Sequence, residues 1–237
     1  RQRTLVVVHT RELMEQWVDR IESLLGLPAN EVGIIGAGKL AVGDKITVAL
    51  VQSLYKCTAE VSQHIGFLVV DECHRAPSRT FTEAVTAFDC KYMLGLSATP
   101  YRRDKLSRLI YWSLGDVVHQ VDAEHLQETG DILKAEIVTR ETNFVPSVDP
   151  SEQYARMLSE LTQNQQRNAM IAHDVVQEVH ACDGVVLVLS DRKTHLHQLA
   201  DLLKPRGINP AILTGAMPTK DRAEVVTALN CGSVKVL

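Results

Sequence analysis

Short, unbroken apolar runs, each closed by polar residues and followed by a stretch of helical periodicity, constrain this chain more than any other feature. Leu5–Val8 ends at His9-Thr10. Leu13, Met14, Trp17, Ile21, Leu24 and Leu25 then fall on one face of a helix. Thr10 is placed to cap that helix, Glu12 lies in the first turn where the helix dipole favours an anion, and Gly26 and Pro28 end it. Further runs are Ile46–Val51, Phe67–Val70, Tyr92–Leu96, Val185–Leu189, Ala211–Leu213 and Val234–Leu237. Intervening helices are marked by Thr80-x-x-Glu83, a capping box, by Leu196, Leu199, Leu202 and Leu203 ahead of Pro205 and Gly207, and by Ala223, Val226 and Leu229. Strands that are apolar throughout are buried on both faces, so the pattern predicts an α/β fold built on parallel sheets. Ligands of such sheets bind beyond the carboxyl ends of the strands. The polar residues that close each run are therefore where chemistry is expected.

The pattern lapses between about residues 122 and 148, where an alternating segment Ala135–Thr142 is followed by a polar stretch with Pro146 and Pro150. A long helical zone over Ser151–Val179 follows, with Tyr154, Met157, Leu158, Leu161, Ile171, Val175 and Val179 on its apolar side. The expected boundary lies near residues 122–132, giving domains 1–125 and 126–237. A chain of 237 residues suffices for two modest domains with real cores. No apolar run is long enough to span a bilayer, and no signal peptide opens the chain. A net charge of −4 means that any contact with nucleic acid must come from local basic patches. Five cysteines without a CxxC pair point to a reduced, intracellular protein. The chain opens and closes on strand-like runs, which suggests an excerpt of something longer.

Phe67-Leu68-Val69-Val70-Asp71-Glu72-Cys73-His74 concentrates the chemistry. A buried strand there delivers two carboxylates to a sheet edge. Asp71 suits Mg²⁺ held through its water shell, since that ion prefers oxygen ligands and keeps several waters. Glu72 suits the task of orienting and deprotonating a water that attacks a γ-phosphate. The bland alternative is that the two carboxylates only start a turn. A second apolar strand ends in Leu96-Ser97-Ala98-Thr99-Pro100, placing hydroxyls where they could bond Asp71, Glu72 or His74.

Asp-Glu-Cys-His followed by Ser-Ala-Thr-Pro resembles motifs II and III of the DEAD/DEAH-like superfamily 2 helicases. His9-Thr10-Arg11-Glu12-Leu13 with Gln16-Trp17 is similar to motif Ia, and Ile46–Ala49 with Gln52-Ser53-Leu54 to the next strand-contact motif. Val188-Leu189-Ser190-Asp191-Arg192 resembles motif IV, and Leu213-Thr214-Gly215 a short motif of the second domain. The nearest branch looks XPB-like. The resemblance implies two RecA-like parallel-sheet domains of the P-loop NTPase type, both truncated. It further implies ATP and Mg²⁺ between the domains and a single nucleic-acid strand across both, DNA favoured over RNA. Its implied roles are Asp71 for Mg²⁺ through water, Glu72 as general base, and His74, Ser97 and Thr99 in coupling. Thr10, Arg11, Gln52, Ser53, Ser190, Arg192, Thr214 and Gly215 are the implied strand contacts.

Gly33-Ile34-Ile35-Gly36-Ala37-Gly38-Lys39-Leu40 fits the spacing of a phosphate-binding loop. Leu40 stands where an Mg²⁺-ligating hydroxyl belongs, however, and a strand rather than a helix follows. A glycine turn with Lys39 at the surface is the expectation. Tyr101-Arg102-Arg103-Asp104-Lys105 with Arg108 forms the densest basic patch, open to phosphate contact, inter-domain coupling or mere solvation. A metal cage from Asp71 to His74 is disfavoured, because four consecutive residues do not converge on one ion. His195 and His197, two apart in a helix, are expected in solvent, and Trp17 and Trp112 in cores. Rival functions are a restriction-system motor subunit, a non-catalytic nucleic-acid-binding fragment and a metal-dependent nuclease. The excerpt itself is expected to hydrolyse ATP weakly or not at all; a turnover assay showing strongly strand-stimulated hydrolysis would contradict this.

Overall fold

A computed structural model gives the architecture, describing residues 2–63, 65–75, 79–99, 107–130 and 132–237, with Arg79–Phe81 and Ala123 described by backbone alone. Two compact units are present, Arg1–Lys134 and Ala135–Leu237. The division falls beyond a short helix, Ala123–Glu128, whose following turn is tied back when Ile132 N–H donates to the Leu126 carbonyl at 3.1 Å.

The first unit runs β1 (Thr4–Val8), α1 (Arg11–Leu25), β2 (Gly33–Gly36), β3 (Lys39–Ala41), β4 (Ile46–Leu50), α2 (Val51–Leu54), α3 (Thr58–Ser62), β5 (Phe67–Val70), α4 (Arg79–Thr86), β6 (Tyr92–Gly95), α5 (Ser107–Leu114) and α6 (Ala123–Glu128). Among the described residues the strands form a six-stranded sheet in the order β3-β2-β4-β1-β5-β6. All pairings are parallel except β2 with β3.

Side-chain alternation divides each central strand between two cores. Leu5, Val7, Ala49, Leu68 and Val70 face one side, where Leu54, Val61, Ala84, Val85 and Ile110 of the flanking helices cover them. Val6, Val8, Val48 and Val69 face the other, under Met14 and Ile21 of α1. This double burial explains why the strands read as unbroken apolar runs. Thr10 caps α1 as its sequence predicts, its Oγ1 accepting from Leu13 N–H at 3.2 Å, and Gly26 ends the helix in the left-handed region at φ 65°. Leu24 and Leu25, read as part of the buried stripe, are instead exposed.

The glycine-rich stretch closes as a β2–β3 hairpin. Ala37 and Gly38 take φ of 51° and 80° at its tip, the positive pair that a tight hairpin turn demands. No helix N-terminus follows it, and Lys39 is exposed.

The second unit contains α7 (Tyr154–Gln163), α8 (Gln165–Ala181), α9 (Lys193–Leu203) and α10 (Thr219–Asn230). The single helical zone expected here is two helices, because Asn164 turns the chain and caps α8 by accepting from Arg167 N–H at 2.8 Å. The three expected strands are only partly zipped. Residues 186–188 and 235–237 share parallel backbone bonds around the bridge Val186–Val236, and Ala211 N–H adds one to Val236. Val185, Leu187 and Leu189 stay exposed on one face. Ala172, Val175, Leu199, Leu203 and Val236, with Leu187 and Leu189 at its margin, line a cavity of about 270 Å³.

His195 corrects an expectation: it is 4% exposed, not solvated. Its Nε2 bonds Asn168 Oδ1 at 3.0 Å, its Nδ1 bonds Ser190 Oγ at 2.9 Å, and Asn168 Nδ2 donates to the Thr162 carbonyl at 2.9 Å. Satisfied polar partners make burial of the ring affordable. Trp112 departs from expectation in the opposite sense, 78% exposed on α5.

Burial, aided by the charge of Arg167, holds the His195 imidazole below its ordinary value of 6.5. The unfolded chain therefore takes up the proton first as pH falls. The stabilisation is complete above about pH 6.5 and is lost as pH drops through the folded value. Urea midpoints are expected to fall between about pH 7.5 and about pH 5.5. His195→Gln should flatten that slope, although it lowers stability at neutral pH. It should not abolish the slope, since His9 is shifted in the same sense. An unchanged slope in the variant would refute the assignment.

Candidate functional site

The parallel register delivers four loop starts to one edge of the first sheet. Val70 of β5 lies opposite Val7 of β1 on one side and Gly95 of β6 on the other, while Val8 of β1 lies opposite Leu50 of β4. Gln52-Ser53, His9-Thr10, Asp71-Glu72 and Ser97 therefore leave four adjacent strands at the same end.

Asp71 continues the β5 backbone, its N–H donating to the Val7 carbonyl at 3.0 Å. Val69 faces the α1 side, so strand alternation aims Asp71 there as well. Trp17 of α1 meets it, its Nε1–H donating to Asp71 Oδ2 at 2.8 Å. Asp71 Oδ1 accepts from Glu72 N–H at 2.9 Å. The core role expected of Trp17 is thus only half of the matter: its ring packs with the apolar cluster while its polar edge holds a site carboxylate.

Glu72 adopts φ 51°, a left-handed conformation that side chains other than glycine seldom take. The kink turns the chain into a short 3-10 turn, Cys73–Arg75, pinned when Cys73 N–H donates to the Leu96 carbonyl at 3.0 Å. Gly95 lets this turn approach, since a Cβ there would lie 3.1 Å from Cys73 Sγ. His74 Nδ1 stands 2.9 Å from Ser97 Oγ and 3.1 Å from Glu72 Oε2. One ring nitrogen has a single hydrogen or lone pair, so the two contacts compete for it. Thr99 joins through its backbone, N–H to Ser97 Oγ at 3.0 Å. His9 sits within this cluster: burial, then the charges of Arg75 and His74, push its imidazole below the usual range, against the pull of Glu72 and Asp71.

The other expected residues are placed as follows. Thr10 is occupied as a helix cap, and Arg11 is exposed with Nε on Glu15 Oε1 at 2.9 Å. Gln52 is exposed and Ser53 half-buried in α2. In the second unit, Ser190 Oγ bonds His195 and accepts from Arg192 N–H at 3.2 Å. Arg192 donates from Nη2 to the Ala155 carbonyl at 3.2 Å, and its Nε is buried without a hydrogen-bond partner among the described residues. Thr214 contributes its carbonyl to Arg222 Nη2 at 3.2 Å, and Gly215 is exposed. Tyr101-Arg102-Arg103-Asp104-Lys105 and Pro100 lie outside the described residues, as does the side chain of Thr80; Arg108 is exposed on α5.

Among the described residues, no group of three or more His, Cys, Asp or Glu side chains converges as a metal cage. The donor set at Asp71 suits a different kind of ion. A half-exposed carboxylate at a sheet edge, with a lone pair remaining on each oxygen after its donors are counted, matches Mg²⁺ held mostly by water.

Residues 1–102 match the family model described as Type III restriction enzyme, res subunit. The DNA 3'-5' translocase XPB2 of Sulfurisphaera tokodaii is 35% identical over 123 residues, 52% of this chain and 27% of the relative. The chain is similar to superfamily 2 proteins of the XPB-like branch. A second relative, the provisionally named ATP-dependent RNA helicase L396 of Acanthamoeba polyphaga mimivirus, is 28% identical over 214 residues, 85% of this chain and 39% of the relative. The chain thus spans well under half the length of these two relatives. The fold is also that of Saccharomyces cerevisiae Dbp5 bound to RNA and ADP BeF3, at a TM-score of 0.58 and 16% identity over all of this chain and 57% of that one. The RecA-like α/β architecture follows. His9 and Trp17 stand in the stretch that resembles motif Ia, but sequence reasoning gave neither a role beside the carboxylates and read Trp17 as core; the indole N–H is its one polar atom on that apolar helix face.

The left-handed Glu72 carries backbone strain on the order of 1–3 kcal/mol. Glu72→Gly relieves it, against a loss of about 0.5–1 kcal/mol from the freer unfolded chain. Thermal unfolding should therefore show the variant at least as stable as the parent. A clear loss of stability would mean that the Glu72 contacts, not its backbone, dominate.

Proposed function

We propose that this chain is the core of an ATP-driven motor on single-stranded nucleic acid, a helicase or translocase, with residues up to about 125–134 and those beyond acting as its two RecA-like domains. The observation that carries the reading is the emergence of Asp71-Glu72 and Ser97 from neighbouring parallel strands, joined by the 2.9 Å contact between His74 and Ser97.

Magnesium, when bound with ATP, supplies positive charge to the phosphate oxygens. Asp71 would hold its water shell, with the carboxylate oriented by Trp17 and by the backbone of Glu72. Glu72 lines up the attacking water and accepts its proton at Oε1, the oxygen opposite the His74 contact. The left-handed backbone at Glu72 fixes the angle at which the carboxylate leaves the strand, and positioning is most of what phosphoryl transfer asks of a protein. His74, Ser97 and Thr99 link this carboxylate to the β6 loop, so a shift of that loop alters the Glu72 geometry. Thr10, Arg11, Gln52 and Ser53 are the strand contacts of the first unit, and Ser190, Arg192, Thr214 and Gly215 those of the second. DNA is the favoured strand, following the XPB-like relatives.

In the whole protein, Glu72→Gln is expected to lower strand-stimulated ATP turnover by at least about 10²-fold while nucleotide binding persists. Stimulation should be stronger with single-stranded DNA than with RNA of the same sequence. Undiminished turnover in the variant would overturn the assignment of the base; salt-sensitive binding with no nucleotide dependence would favour a non-catalytic binder. The match to a restriction-enzyme subunit gives weight to a second reading, a motor serving a nuclease. It shares every role above and would show itself as ATP-dependent duplex cleavage.

A further inference from the structure

We propose that Trp17 is a positioning residue for the metal-holding carboxylate, fixing Asp71 through its indole N–H and tying it to the helix that Thr10 caps and Arg11 begins. The proposal rests on the reading of Asp71 as the carboxylate that holds the divalent cation.

Two periodicities bring the pair together across 54 positions of sequence. Trp17 shares the sheet-facing stripe of α1 with Leu13, Met14 and Ile21, and Asp71 continues the Val69 side of β5 toward that same helix. An indole N–H is a donor only and seeks an acceptor when half-buried. At 2.8 Å on a carboxylate it makes a charge-assisted bond, stronger than a neutral one. With Glu72 N–H on Oδ1 and Trp17 Nε1–H on Oδ2, each carboxylate oxygen has one fixed donor. Rotation of the carboxylate about its last side-chain bond would break both. The remaining lone pairs are thereby held in one plane, ready for an ion or its water shell. A residue needed only for packing requires no N–H at this position; phenylalanine fills much the same space. Because Trp17 lies two turns from the Thr10 cap, any tilt of α1 caused by a ligand at its N-terminus moves the donor on Asp71 directly.

The test uses Mn²⁺ as the probe, with the free-ion paramagnetic resonance signal reporting binding to the whole chain. The parent is expected to bind the ion, Asp71→Asn to lose it, and Trp17→Phe to bind about ten-fold more weakly. The thermal midpoint of Trp17→Phe should stay within about 3 °C of the parent. Trp112→Phe leaves Trp17 as the sole indole, and its emission should be quenched by Mn²⁺ unless Asp71→Asn is also present. Mn²⁺ affinity unchanged in Trp17→Phe but lost in Asp71→Asn would overturn the positioning role alone. No binding by the parent, or equal binding by Asp71→Asn, would remove the metal reading of Asp71 and this proposal with it. Should Trp17→Phe fail to fold, the emission measurement decides: Asp71-dependent binding without quenching overturns the proposal.

Discussion

Everything at the candidate site depends on the parallel ladder that joins β1, β5 and β6. With Val70 opposite Val7 and Gly95, the next residues of each strand must emerge together. A one-residue slip of β5 against β1 would send Asp71 to the wrong face, and one of β6 against β5 would part Ser97 from His74. The register is held by burial on both faces: Leu5, Val7, Leu68 and Val70 are wholly buried on one side, with Val6 and Val69 almost so on the other. Each such side chain stabilises the sheet by roughly 1.5–3 kcal/mol. The cores that hold the strands in line are therefore what hold the chemistry in line.

Around that ladder, local conformation does the finer work. Asp71 keeps the strand direction and is restrained by donors on both oxygens. Glu72 leaves it through a left-handed residue, so adjacent carboxylates depart from the strand in different directions. Gly95 has no side chain where Cys73 must pack, which allows the turn carrying His74 to sit against the β6 loop. The strain at Glu72 and the close approach at Gly95 belong to one arrangement: a chain that bends sharply at the end of a strand and is then pressed onto its neighbour.

The second unit is organised differently. Its helices carry the order, and a polar chain, half-buried at Arg192 N–H and Ser190 and buried from His195 through Asn168 to the Thr162 carbonyl, joins α9, α8 and the end of α7. Low dielectric makes such bonds strong when complete and costly when broken. His195 is thus a structural joint, and burial holds its imidazole below the ordinary value. The sheet segments beside it are held by a few backbone bonds and leave Leu187 and Leu189 in solvent.

Apolar runs closed by polar residues determined the α/β class, the strands of the first unit and the place where chemistry would gather, because burial on both faces leaves so few other ways to arrange such runs. The placement of Asp71, Glu72, His74 and Ser97 at one end of the sheet was legible for the same reason: each lies within a few residues of a strand end. Thr10 as a cap and Lys39 in a hairpin were equally local. The tertiary structure alone decided what depends on neighbours distant in sequence. Trp17 reads as core until β5 places a carboxylate beside its N–H. His195 reads as solvated until Asn168 and Ser190 surround it, and Trp112 reads as core until the packing of α5 leaves it outside. Periodicity reports which face of an element is apolar; it carries no information about which polar atom waits on the other side of the contact.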